Sequence, residues 1–303
     1  MEGVLMDTVL LGTGLLGEAI GLRLLQQGHR LTVWNRNPAR CQTLVEAGAA
    51  LAPTAAEAVT SGELVLTVLA DGAATATVLQ QAAGCLAGRL VVQMGTIAPS
   101  ESLALAQQLK TQGCGYLEAP VLGSRPEALA GTLQVMVGGD ADALARALPL
   151  LQALDPTPRY LGAVGAASHT KLALNQLIAS LTHSFSLSLH LVQQAGVDVE
   201  AFMAILRGSA LHAPTFDKKL AKELADDYSN PNFPTAHLRK DLNLFVDAAR
   251  GLGLDTQGLS GLQSLLARAS DAGIDALDYS ALHRLTGALP NRIQPSASAM
   301  AVG

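Results

Sequence analysis

Short apolar runs alternate with helical patterns through the first half of the chain. The runs are Thr8–Leu11, Leu31–Trp34, Glu63–Leu69, Leu90–Met94, Gly115–Glu118, Leu133–Val137 and Arg159–Leu161. Between them lie amphipathic stretches such as Leu15–Gln27, Pro99–Lys110 and Ala141–Leu154. Strands alternating with helices of this length predict βαβ units and a mostly parallel sheet. The later runs come closer together, so a few extra or antiparallel strands are expected there.

From about Ala166 onward the pattern holds no convincing strand. Ala166–Ala195 reads as one helix, longer than the usual span of globular helices, and Gly196 is placed to end it. Shorter helices are expected at Glu200–Arg207, Ala236–Arg250, Gly258–Ala272 and Tyr279–Thr286. The long helix would leave the first domain and form the spine of a second, all-helical one. The boundaries that follow are 1–164, 165–288 and a frayed tail over 289–303, rich in Pro, Ser, Ala and Gly. No internal repeat is visible. Leu172–Val192 is the most apolar long stretch, but Asn175, Gln176, His183 and His190 interrupt it. A membrane span needs about 20 mostly apolar residues, so the stretch reads as a buried helix.

Composition narrows the function. With 303 residues, the chain has room for two domains and a sizeable core. Hydrophobic residues at 49% and charged residues at 15% argue against global disorder. A net charge of −5 without a basic run, and only 3% aromatics, leave little to hold a nucleic acid. Cys41, Cys85 and Cys114 are odd in number and far apart, which is neither a disulfide framework nor a metal-site spacing. Thiols of that kind suit a reducing cytoplasm, and no signal-peptide layout precedes Thr8.

The run Thr8–Leu11 leads into Gly12-Thr13-Gly14-Leu15-Leu16-Gly17 and then a helical pattern. In a dinucleotide-binding turn the first glycine permits the tight turn, the second lets backbone approach the pyrophosphate, and the third allows close helix–strand packing. The helix N-terminus then offers its amides to phosphate. The glycines alone are weak evidence; the strand before and the helix after supply the required context. After the second strand comes Asn35-Arg36-Asn37-Pro38. An acid at this place would bind a ribose 2′-hydroxyl, whereas an arginine accommodates a 2′-phosphate. Asn35 and Arg36 therefore point to NADP rather than NAD. Asn37 and Pro38 read as the N-cap and first turn of the next helix.

At this point the chain resembles the β-hydroxyacid dehydrogenase family, which includes 3-hydroxyisobutyrate dehydrogenases and glyoxylate/succinic semialdehyde reductases. Five motifs between about residues 8 and 286 carry the resemblance. They are the glycine turn, Leu69-Ala70-Asp71, Met94-Gly95-Thr96-Ile97-Ala98-Pro99, Ala119-Pro120-Val121-Leu122-Gly123-Ser124, and Lys171-Leu172-Ala173-Leu174-Asn175 followed by Phe233 and Lys240-Asp241. The resemblance implies an α/β Rossmann-type N-terminal domain and an all-α C-terminal domain joined by a long interdomain helix. It also implies homodimers or homotetramers, and an active site in the cleft between the domains.

By that resemblance Lys171 is the catalytic lysine. Hydride addition to a carbonyl leaves negative charge on oxygen, and an ammonium supplies both a cation and a proton there. Asn175 lies one turn further along the same face, to aim the lysine or to bond the substrate. The alternative is that it satisfies a buried backbone group. Thr96 would approach nicotinamide and substrate, or cap the helix at Pro99. Leu69 and Ala70 would flank the nicotinamide ribose, Lys240 would sit near the cofactor and Asp241 near the lysine, with Phe233 on the far wall. Leu122-Gly123-Ser124 would be the substrate-carboxylate segment, where the family usually has Ser-Gly-Gly or Ser-Gly-Ser. Leu122 removes a hydroxyl, leaving the amides of Gly123 and Ser124 as donors, with Arg125 either adding charge for an acidic substrate or simply solvated. His169 would point away and is given no role.

The reading that follows is NADPH-dependent reduction of a small aldehyde or keto acid of the glyoxylate or succinic semialdehyde type. Its competitors are oxidation of a 3-hydroxy acid such as 3-hydroxyisobutyrate, imine reduction (against which Lys171 argues), and an NADP-binding module without catalysis. The expected partner is a small carboxylate-bearing carbonyl or hydroxy acid, with no nucleic acid, membrane or metal.

Overall fold

The computed structural model describes residues 5–287, so the tail expected from residue 289 lies outside the described residues. These form two compact units, one of residues 5–177 and 240–258, the other of 178–239 and 259–287.

The first unit contains the strands β1 (Asp7–Leu11), β2 (Arg30–Trp34), β3 (Ala50–Leu51), β4 (Leu64–Thr67), β5 (Leu90–Gln93), β6 (Gly115–Glu118), β7 (Val121–Leu122), β8 (Gln134–Gly139) and β9 (Arg159–Gly162). They form one sheet in the order β3-β2-β1-β4-β5-β6-β8-β7, with β9 beside β8. Strands β1 to β6 pair in parallel. The extra strands anticipated late in the sheet are real: β8 runs antiparallel to both β6 and β7. Strands β3 and β7 span two residues each, too short to show a pattern in sequence.

The period of two decides which residues meet on each face. Leu10, Leu66, Val92 and Leu117 enter one core, and Val9, Leu11, Val65, Val91 and Tyr116 the other. Both faces are covered, as a parallel sheet requires. The helices of this part are α1 (Leu15–Gln26), α2 (Gln42–Glu46), α3 (Ala55–Thr60), α4 (Gly72–Gln81), α5 (Pro99–Thr111), α6 (Arg125–Ala130) and α7 (Ala141–Leu151).

Helix α8 (Ala166–Gln194) runs 29 residues and continues from the first unit into the second. Gly196 ends it as expected. At φ 70° it donates to the Gln193 carbonyl at 3.1 Å, while Val197 donates to Val192 at 2.9 Å. That pair of bonds is a Schellman stop. The expectation that Leu172–Val192 is buried needs correction. Leu172, Ala179, Phe185 and Leu189 are buried, but Leu177, Leu187 and Leu191 are 51–70% exposed. The apolar excess wraps the helix, and one face alone finds a core. No helix among the described residues is long and apolar enough to cross a membrane.

The second unit is helical, with α9 (Val199–Arg207), α10 (Pro214–Ala225), α11 (Thr235–Gly251, entering the first unit at Lys240), α12 (Ser260–Ala267) and α13 (Leu282–Thr286). Among the described residues its extended pairing is a single bridge, Pro234 to Asp278. Helix α10 does not stand out in sequence. Its buried row is Phe216, Leu220 and Glu223, so a carboxylate takes the place where an apolar residue would reveal the helix. Phe216 and Leu220 pack with Phe185, Leu189 and Met203 in this unit's core.

Candidate active site

The parallel register aligns the carboxyl ends of the strands. Trp34 is level with Leu11, Leu11 with Thr67, Thr67 with Gln93 and Gln93 with Glu118. Every loop carrying a candidate residue in the first half of the chain leaves from this edge. Strand order reverses between β1 and β4, and ligands of open α/β sheets bind at such a switch point.

The three glycines of the first loop do three different things. Gly12 adopts φ 102°, which side-chain-bearing residues rarely reach, and a Cβ there would strike the Val68 carbonyl oxygen. A Cβ at Gly17 would strike the Gly12 carbonyl oxygen, so this glycine lets α1 approach the turn. A Cβ at Gly14 would meet nothing within 4 Å. Gly14 is the N-cap of α1, and no side chain caps that helix. An uncapped helix start beside open space fits a dinucleotide's phosphates; Thr13 is buried and Leu15 exposed beside it.

At the end of β2, Asn37 caps the turn Pro38–Cys41 through a 3.2 Å bond from the Ala39 N–H. Asn35 donates to the Asn37 carbonyl at 3.1 Å. This bracing holds the loop and leaves Arg36 and Arg40 exposed. At the next loop Leu69 is half-buried and Ala70 exposed. Asp71 caps α4 by accepting the Ala74 N–H at 2.7 Å. The Leu69 carbonyl passes so near Gly95 that a Cβ there would lie 2.8 Å from it. Beneath both loops the buried Thr67 hydroxyl donates to Gln93 Oε1 at 2.5 Å, and Gln93 Nε2 donates to the Gly95 carbonyl at 3.4 Å.

Lys171, Asn175, Lys240 and Asp241 come together in the first unit. Asn175 and Asp241 are each 1% exposed, and Asn175 Nδ2 donates to Asp241 Oδ2 at 2.5 Å. Asp241 Oδ1 pairs with Lys240 Nζ at 2.9 Å. Lys240 Nζ also donates to the Thr96 carbonyl at 2.6 Å, tying α11 to the loop after β5. Thr96 does not cap α5. Ala98 holds the N-cap position, and Glu101 reaches back to accept its N–H at 2.8 Å. Lys171 is half-buried. Loss of hydration lowers its pKa to about 8; the Asp241 carboxylate opposes the fall and the Lys240 ammonium adds to it. Such an ammonium is charged at neutral pH and gives up its proton more readily than an ordinary lysine.

Other candidates sit in different surroundings. Leu122 is half-buried in β7. Ser124 donates its N–H and its hydroxyl to Glu127 Oε2, each at 2.8 Å. The donors expected for a substrate carboxylate at Ser124 are thus engaged by a carboxylate of the chain itself. Arg125 pairs with Glu18 at 3.0 Å instead of standing solvated. His169 holds the Gly165 carbonyl through Nδ1 at 2.7 Å. Phe233 belongs to the second unit, where its ring lies 6.1 Å from His237 and 5.8 Å from Tyr279.

Sequence reasoning passed over Glu118. This fully buried acid ends β6 and accepts from Gly165, Ala167 and Ser168 at the start of α8. The available signal was a lone charge between Tyr116-Leu117 and Ala119-Pro120-Val121, where nothing apolar explains it.

Comparison with known proteins agrees with this architecture. Residues 7–162 match the NAD-binding domain of 6-phosphogluconate dehydrogenase, and residues 165–286 the NAD-binding domain of NADP-dependent 3-hydroxyisobutyrate dehydrogenase. The chain is 28% identical over 281 residues to glyoxylate/succinic semialdehyde reductase 1 of Arabidopsis thaliana, covering 91% of this chain and 97% of that protein. It is 30% identical over 277 residues to 2-hydroxy-3-oxopropionate reductase of Escherichia coli (strain K12), covering 90% and 94%. In fold it is similar to Mycobacterium tuberculosis 3-hydroxyisobutyrate dehydrogenase, solved with L-serine. The TM-score there is 0.85 at 24% identity, over 94% of this chain and 100% of that one. The chain belongs to the β-hydroxyacid dehydrogenase family and is a nicotinamide-dependent oxidoreductase acting on CH–OH groups.

Proposed function

We propose that the protein uses NADPH to reduce a small aldehyde or keto acid of the glyoxylate or succinic semialdehyde type, with Lys171 as proton donor. The carrying observation is the half-buried Lys171 ammonium, lowered to about 8, beside the Asn175–Asp241–Lys240 cluster. Reduction of a carbonyl places negative charge on its oxygen, and Lys171 stabilises that charge and then delivers the proton. Asn175 holds Asp241 in place, and the Asp241 carboxylate opposes the loss of the Lys171 proton. The turn Gly12–Gly17 would hold the pyrophosphate and Arg36 the 2′-phosphate, with Asn35, Leu69, Ala70, Thr96 and Lys240 along the cofactor. Bound there, NADPH supplies the hydride.

The substrate class rests on the relatives named glyoxylate/succinic semialdehyde reductase and 2-hydroxy-3-oxopropionate reductase. Gly123 remains as a backbone donor for the substrate carboxylate, since Ser124 is bonded to Glu127. Purified protein mixed with NADPH or NADH and glyoxylate, succinic semialdehyde, methylmalonate semialdehyde or an uncharged aldehyde tests this by loss of nicotinamide absorbance. Faster NADPH consumption with glyoxylate or succinic semialdehyde is expected. Turnover of the uncharged aldehyde alone, or of none, would remove the substrate assignment.

A further inference from the structure

The turn that launches α8 is built on one carboxylate. Glu118, fully enclosed at the end of β6, accepts the N–H of Gly165 at 2.8 Å and of Ala167 at 3.2 Å on Oε2. Its Oε1 accepts the Ser168 hydroxyl at 2.5 Å. A helix start leaves N–H groups without intrahelical partners and carries positive partial charge, so a carboxylate there is doubly favoured. Space is reserved for it: a Cβ on Gly138 would collide with Glu118 Oε2. Gly165 turns the chain at φ 103°, and its carbonyl lies 2.7 Å from His169 Nδ1. The first turn of α8 is therefore held by the buried Glu118 carboxylate and by the exposed His169 ring at the Gly165 carbonyl.

Lys171 stands five residues after the helix begins. With 3.6 residues per turn, a start displaced by one residue rotates Lys171 by about 100°, away from Asp241. We infer that Glu118 is the positioning residue for Lys171, fixing the register and direction of the helix start from which the lysine projects. The inference rests on the reading of Lys171 as proton donor, but the contacts of Glu118 do not.

Two arms test it. The first needs no turnover. Lys171 is modified with formaldehyde and cyanoborohydride across a pH series, and its extent of methylation is read by peptide mass spectrometry. In the native protein the midpoint should lie near 8, and exposed Lys110 and Lys218 serve as internal controls for the reagent. Glu118→Ala should move the Lys171 midpoint toward an ordinary lysine, about 10.4, as the side chain swings into water. Glu118→Asp, one methylene too short, should do the same if Glu118→Ala fails to fold. Glu118→Gln keeps the reach, one carbonyl for the two amides and an NH₂ for the Ser168 oxygen, and should leave the midpoint near 8. A folded Glu118→Ala or Glu118→Asp protein with an unmoved midpoint would overturn the inference.

In the second arm, Glu118→Asp should lower kcat about tenfold or more with KM for NADPH unchanged, since small misplacements of a reacting group are costly. In a Lys171→Ala background it should cause no further loss. Equal losses in both backgrounds would show a general structural role. Absence of turnover in the native protein would count against the proposed reaction and leave the methylation arm to decide on Glu118.

Discussion

Asn175 and Asp241 stand 66 positions apart in sequence and share a 2.5 Å hydrogen bond in which both side chains are almost wholly buried. The bond joins α8 to α11 and leaves the second carboxylate oxygen to Lys240 at 2.9 Å. The field of the Asp241 carboxylate raises the affinity of Lys171 for its proton. Asp241→Asn removes that field while keeping the shape. The alkaline limit of reduction should then fall below about 8, by about one unit, in a kcat profile against pH. An unmoved limit would mean that Asp241 does not act on the proton donor.

For the native enzyme the sign follows from which form of Lys171 works. Carbonyl reduction needs the protonated amine, and the pKa is lowered to about 8. Rates should be level through neutrality and decline above pH 8, nearly tenfold per unit. The reverse oxidation needs the neutral amine and should rise through the same region to a plateau. Lys171→Ala should reduce kcat by orders of magnitude and abolish both limbs. Persistence of either limb in that variant would assign the titration to another group.

How much of this was legible in the sequence depends on whether a residue's environment leaves a local trace. Gly12, Gly14 and Gly17 do, because each answers a separate backbone demand within six residues. Lys171 and Asn175 share a helix face by their spacing, but the role expected of them came from the family resemblance and not from any local trace. Asn37 and Pro38 announce their cap directly. Glu118 leaves only a lone charge among apolar neighbours, since its partners lie 47–50 residues away and a single acid at a strand end looks like a solvated turn. Helix α10 is masked by Glu223 in its buried row. Ser124 and Glu127 did carry a recognisable signature, a serine followed three residues on by a glutamate. Its consequence, an occupied Ser124 amide, needed the folded geometry.

The glycine turn separates binding from folding. Gly14→Ala meets open space at an ordinary φ of −72°. Its stability cost should stay within about 1 kcal/mol, while the Kd for NADPH rises at least about tenfold from the methyl group's obstruction. Gly17→Ala pushes a methyl into the Gly12 carbonyl, so it should cost about 1–3 kcal/mol of stability as well. Thermal melts and cofactor titration of the pair test this. Unimpaired NADPH affinity in Gly14→Ala would place the cofactor elsewhere.

Arg36 projects from a braced loop and is exposed, so its removal should leave the fold intact. If it reads the 2′-phosphate, Arg36→Ala forfeits a charged hydrogen bond, about 1.5–3 kcal/mol. KM for NADPH should rise roughly 10- to 100-fold, and KM for NADH hardly at all. Equal effects on the two cofactors would mean that the arginine does not discriminate between them.

A lysine whose folded pKa lies below its unfolded value is held in the folded protein at a disadvantage while charged. That disadvantage is complete below pH 8, where both states are protonated, and fades as pH rises from 8 toward 10.5. Lys171→Met keeps similar bulk, discards the charge, and leaves Asp241 bonded to Asn175 and Lys240. At pH 7 the variant should be more stable than the native protein by about 1 kcal/mol, which raises Tm by roughly 2–4 °C for a domain of this size. At pH 10 the two melts should converge. A variant that melts lower at pH 7 would show that Lys171 holds the fold together, and its retention would then need no catalytic explanation.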